Sequence, residues 1–242
     1  MPLRVAFDMD GVLADFGAAY REVEYRLFGP EAAPARVPEP ESVPAGDDGA
    51  TADDATASET PETPDPRMES VRLRRKRDGV WREIQQTTDF WTTLQPIDPD
   101  AVRRIHSAML SHRWEVFFIT QRPRTAGDTV QRQTQRWLVG QGFDLPSVLV
   151  VSGARGAAAS ALGLHYLVDD TPKNCIDTIA DSRAKPVLIM REDDPVGETS
   201  ARKLGIGVVR SIAECLEILD HATVHHRSPT LLKRLSKVVG WT

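Results

Sequence analysis

Asp8 and Asp10 stand one residue apart at the end of an apolar run, Leu3-Arg-Val-Ala-Phe-Asp8-Met-Asp10-Gly11-Val12, and a glycine follows at once. Two acids at i and i+2 on extended chain leave it on the same side, so both carboxylates can serve one site. Gly11 allows a sharp backbone turn and a close approach to a ligand. Two more apolar runs end in polar groups: Val116-Phe-Phe-Ile119 in Thr120-Gln121-Arg122, and Tyr166-Leu-Val168 in Asp169-Asp170. Four carboxylates gathered in one crevice repel each other and need a cation. Oxygen-only ligands favour a hard ion such as Mg²⁺, which keeps waters and prefers phosphate co-ligands. An aspartate beside such an ion is a competent nucleophile toward phosphorus. A carboxylate two residues on can act as acid for the leaving group and then as base for water. Thr120 offers a hydroxyl and a backbone N–H to a phosphoryl oxygen, and a nearby cation offsets the charge that spreads in the transition state. The chemistry implied is phosphoryl transfer to water.

These residues must be delivered by their elements. Leu3, Val5 and Phe7 suit a strand buried in the centre of a parallel sheet. A helix is expected from Asp15 to Phe28, with Phe16, Ala19, Tyr20, Val23 and Leu27 at three- and four-residue spacing and Gly29-Pro30 as its stop. From Ile97 onward the pattern alternates. Asp98 or Asp100 caps a helix to about Ser111, the strand over 116–119 follows, then a helix from Thr125 to Val139. A strand over 148–151, a short helix to Leu162, a strand over 166–168 and a helix opening on Pro172 come next. Strands over 187–190 and 208–209 and a helix from Ile212 to Leu219 complete the series. Strands alternating with helices imply an α/β fold with a doubly wound parallel sheet and right-handed crossovers. In such a sheet the strand ends that carry the acids face one crevice.

Between the first strand and the rest, the composition changes. Residues 30–66 hold 8 of the 17 prolines and ten acids against one cation, Arg36. Such a segment buries too little apolar surface to offset its ordering entropy, so it reads as a disordered acidic spacer, with masking of basic surface as the other option. A basic cluster follows at Arg67, Arg72, Arg74, Arg75, Lys76 and Arg77, then Trp81, Ile84, Phe90, Trp91 and Leu94. Cations beside aromatics suit a nucleotide or a nucleic-acid backbone, or simply a solvated face beside a small core. The chain therefore divides into a core of 1–13 and 96–222, an insertion of 14–95 and a basic amphipathic C-terminal helix of 223–242.

With 40% hydrophobic and 27% charged residues the composition is that of an ordinary globular protein. The net charge of −5 gives no global case for a nucleic-acid partner. Two distant cysteines, Cys175 and Cys215, fit a reducing cytosol and argue against a disulfide framework or zinc. No apolar run is long enough to span a membrane, and the opening lacks a signal-peptide core, so a cytoplasmic protein is expected.

The motifs in this order resemble the haloacid dehalogenase-like (HAD) hydrolase superfamily. Asp8-Met-Asp10-Gly11-Val12 is similar to its first motif, Ile119-Thr120 to its second and Val168-Asp169-Asp170 to its fourth. The resemblance covers about residues 3–29 and 94–220. It implies a HAD-like Rossmannoid core with a small helical cap inserted after the first strand. It further implies Asp8 as nucleophile, Asp10 as general acid/base and Thr120 as phosphate ligand. Mg²⁺ would be held by Asp8, the Asp10 carbonyl and Asp169, assisted by Asp170. The family's third motif is a lysine, and this chain has Arg155 there, in Ser152-Gly-Ala-Arg155-Gly156; Lys173 is the other cation that could reach in. Within the superfamily, Phe90-Trp91-Thr-Thr-Leu94-Gln-Pro96 looks similar to the 5'(3')-deoxyribonucleotidase group, in which cap aromatics enclose a base. That resemblance makes Phe90 and Trp91, with Tyr20 and Trp81, candidate substrate contacts. Thr120-Gln121-Arg122-Pro123 followed by Thr134-Gln-Arg136-Trp137-Leu138 looks instead like the phosphatase domain of polynucleotide kinase-phosphatases. Gln121 and Arg122 are then candidate substrate ligands, although Arg122 could equally mark the start of a surface helix. The expected protein is a Mg²⁺-dependent phosphatase of a small phosphomonoester, with a nucleotide as the favoured substrate and a 3'-end phosphatase or a weakly catalytic phosphate-binding regulator as alternatives.

Overall fold

The computed structural model describes residues 2–30 and 66–226. Its centre is one all-parallel sheet of β1 (Arg4–Asp8), β2 (Glu115–Thr120), β3 (Ser147–Val150), β4 (Tyr166–Asp169), β5 (Lys185–Ile189) and β6 (Gly207–Val209), in the order β3-β2-β1-β4-β5-β6. The chain steps outward from β1 to β3, crosses back, and steps outward on the other side from β4 to β6. The reversal falls between β1 and β4, which is where open α/β sheets bind ligands at their carboxyl ends. β1 is the innermost element, and Val5, Ala6 and Phe7 have no exposed surface. A strand covered on both faces needs a continuous apolar run rather than an alternating one, and that is what its sequence supplies.

The covering helices are α1 (Phe16–Phe28), α2 (Pro66–Gln86), α3 (Ala101–His112), α4 (Val130–Gly140), α5 (Arg155–Leu162), α6 (Pro172–Asp181), α7 (Pro195–Lys203) and α8 (Ile212–His226), with a 3₁₀ turn at Phe90–Thr92. α1 starts where its cap signal stands: the Asp15 carboxylate accepts from the Ala18 N–H at 2.8 Å. The chain leaves the core and returns to it at one neck. There Asp15 N–H donates to Gln95 O at 2.8 Å and Ile97 N–H to Leu13 O at 2.9 Å. Phe16, Tyr20, Val80, Ile84, Phe90 and Trp91 from the inserted stretch pack into the same apolar cluster as Phe7, Phe118 and Val168 of the sheet.

Four sequence expectations change. α4 begins at Val130 instead of Thr125, and residues 121–129 form a loop, because inserted residues take their hydrogen bonds. Ala126 N–H donates to Gln85 O at 2.7 Å, and Asp89 N–H to Ala126 O at 2.8 Å. α7 was not expected, although its signals stand in the chain: Asp194 caps it by accepting from Gly197 N–H at 2.9 Å, and Pro195 occupies its first position. Leu27, the last residue of the apolar stripe expected for α1, is exposed, while Phe16, Tyr20 and Val23 are buried. α8 runs past Leu219 to His226. The acidic spacer, apart from its end residues 30 and 66, and the C-terminal helix beyond 226 lie outside the described residues. Cys175 and Cys215 are free and buried. Among the described residues, no helix is long and apolar enough to cross a membrane.

Candidate active site

Strand register assembles the site. Asp8 pairs with Ile119, which puts Thr120 one step beyond it on β2. Phe7 pairs with Val168, which puts Asp169 beside Asp8 on β4. Asp8, Thr120 and Asp169 therefore end three neighbouring strands, and all three are buried. Gly11 follows with φ +76°, in the left-handed region that disfavours side chains. The Asp170 carboxylate lies directly over it: a Cβ on Gly11 would come within 1.9 Å of Asp170 Oδ2. The tight turn after Asp10 thus makes room for the fourth acid.

Arg155 is the cation of this site. It opens α5, is 4% exposed, and reaches between two strand ends: Nη2 lies 2.5 Å from Asp8 Oδ1 and Nε lies 3.5 Å from Asp169 Oδ2. Gly156 lets α5 approach α6 closely enough for this, since a Cβ there would meet Asp177 O at 2.1 Å and Asp181 Cβ at 2.7 Å. Arg155 Nε and Nη1 are buried without a hydrogen-bond acceptor. Buried donors are almost always paired, so Nη1, which has no acceptor, marks a place for an anionic oxygen, while Nε is held only by the longer ion pair to Asp169. Lys173, the other candidate, is exposed on the first turn of α6.

The charges are unbalanced around Asp8. Burial pushes its carboxyl well above the usual carboxylate range; Arg155 opposes the shift, and Asp169, Asp170 and Asp10 add to it. For Arg155, burial favours the neutral form, but Asp8 and Asp169 outweigh it and hold the guanidinium charged. Asp169 is braced as well: Oδ1 accepts from Thr171 N–H at 2.9 Å and from Asn174 Nδ2 at 3.1 Å. With Arg155 also on Oδ2, Asp169 is a support for the cation, and Asp170 is the β4 acid placed beside the Asp10–Gly11 turn. Among the described residues, no three carboxylate, imidazole or thiol side chains converge closely enough to chelate an ion by themselves.

Three expected substrate contacts are placed elsewhere. Arg122 has no exposed side-chain surface and meets Asp10 instead of solvent or a ligand: Nη2 donates to Oδ1 at 2.7 Å and Nε to Oδ2 at 2.8 Å. Phe90 and Trp91 are buried, 4% and 0% exposed, in edge contact with each other at 5.1 Å. The aromatics of the insertion use their faces on one another, Phe16 stacking on Trp81 at 5.5 Å and Tyr20 meeting Trp81 edge-on at 5.9 Å. Only Trp81 of the four named keeps partial exposure, and Gln121 sits half-buried directly after Thr120. Sequence reasoning missed Asn174, Gly156, Thr134 and Arg191. Arg191 follows β5 and donates to the carbonyls of Gly11 and Val12, the latter at 3.0 Å. Gly156, adjacent to Arg155, and Thr134, in the run quoted after Arg122-Pro123, were the two with a signal in sequence.

No protein-family model matches the chain, and no curated protein matches it. Solved structures do. A hydrolase from Pseudomonas syringae shares 14% identity over 90% of this chain and 98% of its own, with a TM-score of 0.50. A HAD family hydrolase from Deinococcus radiodurans R1, determined with bound phosphate and sodium, shares 16% identity over 88% and 93%, with a TM-score of 0.48. A family IA HAD hydrolase from Entamoeba histolytica HM-1:IMSS shares 14% identity over 88% and 95%, with a TM-score of 0.45. At these identities the likeness is one of fold, a parallel sheet covered by helices.

Proposed function

We propose that this chain is a Mg²⁺-dependent phosphomonoester hydrolase that works through an aspartyl-phosphate on Asp8. The observation that carries this is Arg155: a buried guanidinium on the nucleophile candidate whose Nη1 has no acceptor and whose Nε reaches Asp169 only at 3.5 Å. Phosphate supplies what those donors lack, since its oxygens accept from a planar fork in pairs. In the first half-reaction an Asp8 oxygen forms a bond to phosphorus while the bond to the ester oxygen breaks, and Asp10 gives that oxygen its proton. In the second, Asp10 takes a proton from water, whose oxygen attacks phosphorus and frees Asp8 and inorganic phosphate. Arg155 and Thr120 hold the equatorial oxygens through both steps.

A divalent ion fits the remaining donors: Asp8 and Asp170 as carboxylates and the Asp10 backbone carbonyl, with water and substrate filling the other positions as Mg²⁺ prefers. Bound there, it would neutralise charge on the phosphoryl group. The uncompensated carboxylates around Asp8 support that assignment.

A nucleotide is the substrate we favour. Trp81 keeps part of its ring exposed, and α2 presents exposed Arg74, Arg75, Arg77 and Arg82 on the same insertion, offering a base a face and a phosphate a charge. Phosphate release would be measured on nucleoside 5'- and 3'-monophosphates, sugar phosphates and a 3'-phosphorylated oligonucleotide, with and without Mg²⁺. Mg²⁺-dependent release from the mononucleotides is the expected result. Preference for the oligonucleotide, weakening steeply with salt, would move the assignment to strand ends. Silence across the panel from folded protein would overturn the enzyme and leave a phosphate-binding role.

A further inference from the structure

Arg122 is a buried cation that the proposed chemistry does not use, and all three of its guanidinium nitrogens have partners. Its guanidinium grips Asp10 with two parallel bonds, Nη2 to Oδ1 at 2.7 Å and Nε to Oδ2 at 2.8 Å. The third nitrogen donates to Thr134 Oγ1 on α4 at 3.0 Å. Its planar face lies over the Trp91 ring at 4.8 Å. Trp91 is itself fixed twice: its ring N–H donates to Pro123 O at 3.0 Å, and its backbone N–H donates to Gln133 Oε1 at 3.1 Å. Gln133 closes the ring of contacts by donating to Asp128 O at 2.6 Å and to Thr125 Oγ1 at 2.9 Å. Every contact of Arg122 except Asp10 is thus to the loop after β2, to α4, or to the last turn of the insertion.

We infer that Arg122 is the positioning residue for Asp10, and that it ties the acid/base group to the inserted segment through Trp91. This rests on the phosphatase reading above. A carboxylate has about four lone-pair directions, and a bidentate guanidinium occupies two of them on one edge. The fork therefore fixes the rotamer of Asp10 and leaves its outer lone pairs pointing away from Arg122, for a leaving oxygen or a water. Asp10 is the least buried member of the pair, with 13% of its side chain exposed against none for Arg122. An aspartate on a turn beside a flexible glycine has no other clamp in the structure's described contacts, so its aim depends on this one. The guanidinium of Arg122 bonds Asp10 and Thr134 rather than Asp8; it acts through Asp10.

The test separates positioning of an acid from damage to the fold. A good leaving group such as p-nitrophenolate departs without a proton, whereas an alkoxide needs one, so only the alkyl ester depends on how Asp10 is aimed. We would compare kcat/KM for p-nitrophenyl phosphate with that for the fastest alkyl phosphomonoester of the panel. The proteins would be wild type, Arg122→Lys, Thr134→Val, and each combined with Asp10→Asn. Arg122→Lys keeps the charge and loses the fork. Thr134→Val removes only the hydroxyl that pins Nη1 and tests the idea should the buried lysine fail to fold. The expected result is a fall of about 30-fold or more on the alkyl ester for Arg122→Lys, and about 3-fold for Thr134→Val, within the range over which acid–base catalysis operates. The aryl ester should change by less than about 3-fold, and neither substitution should cost anything further once Asp10 is Asn. Equal losses on both esters, or losses that add to that of Asp10→Asn, would overturn the inference and make Arg122 a structural ion. A wild type that hydrolyses neither ester would overturn the phosphatase reading, and this inference with it.

Discussion

Two arginines reach the same crevice from opposite sides of β1 and are used in opposite ways. Arg122, on the β2 side, has a carboxylate fork, a hydroxyl and an aromatic face as partners. Arg155, on the β4 side, is nearly as buried, yet it bonds Asp8 with one nitrogen, reaches Asp169 with Nε only at 3.5 Å and leaves Nη1 without an acceptor. Charge is the same in both and burial is similar, so the difference lies in saturation. A guanidinium whose donors are filled by the protein fixes a neighbour. One whose donors are left open is prepared for a ligand that arrives with its own oxygens.

The strongest way to break that contrast is at the carboxylate the open arginine touches. Asp8→Asn keeps the size of the side chain and removes the nucleophile, so turnover should fall to the background of the assay while the protein folds as before. Because burial and three other carboxylates disfavour the Asp8 charge, the variant should also melt at a higher temperature than wild type in the absence of metal. Activity retained in Asp8→Asn would end the covalent mechanism.

Next in size is Arg155 itself. Arg155→Met should lower kcat/KM by about 10²–10³, the usual cost of one transition-state donor set. It should also abolish protection by the product: millimolar inorganic phosphate should raise the melting temperature of wild type and leave Arg155→Met unmoved. Protection of equal size in both proteins would mean that the open donors are not the phosphate site. Arg155→Lys should retain part of both effects.

How far these two sites were legible from sequence follows the same division. Asp8, Asp10, Thr120 and Asp169 were legible because each stands directly after an apolar strand, and strand ends in a parallel sheet are fixed by local pattern. The role of Arg122 was not. Its neighbours Thr134, Trp91 and Gln133 come from α4 and the insertion, and nothing in the dipeptide Arg122-Pro123 says that a carboxylate 112 residues earlier will fill the fork. The same tertiary bonds hold 121–129 as a loop where apolar spacing alone suggested a helix from Thr125. Phe90 and Trp91 misled for a related reason: aromatic content marks stacking capacity, and only packing tells whether the partner is a ligand or another ring. That Asp169 ends β4 was legible, but that Asp170 lies over the turn depends on Gly11 and that Asp169 is braced depends on Asn174, neither of which sequence could rank.

A smaller effect should come from the backbone under Arg155. Gly156→Ala would press a methyl against Asp177 O, 2.1 Å from the ideal Cβ, and against Asp181 Cβ at 2.7 Å. Backbone cannot yield as a side-chain tip can, so α5 must shift from α6 at a cost of about 1–3 kcal/mol in unfolding free energy. Because Arg155 precedes it, the shift should raise KM for the phosphoester, whereas a matched loss of stability on the Arg122 side, in Gln133→Leu for example, should leave KM unchanged. Equal KM values for the two would show that α5 packing does not aim the open arginine.

The smallest expected effect is in the pH dependence of stability, and it tests whether Arg155 alone balances the site. Asp8 holds its proton more tightly folded than unfolded, chiefly through burial, with Arg155 opposing and the neighbouring acids adding. A carboxyl raised in this way contributes stability that is complete below its unfolded pKa of about 4 and is lost as pH rises through the folded value. Metal-free wild type should therefore lose melting temperature relative to Asp8→Asn as pH climbs from about 4, because only the wild type must ionise a buried acid that one guanidinium does not fully offset. Mg²⁺ at the carboxylates should narrow the gap at neutral pH in wild type and do little in Asp8→Asn. A gap that stays constant from acid to neutral pH would mean that Arg155 already neutralises Asp8, and the charge left over for a divalent ion would have to be sought at Asp170 alone.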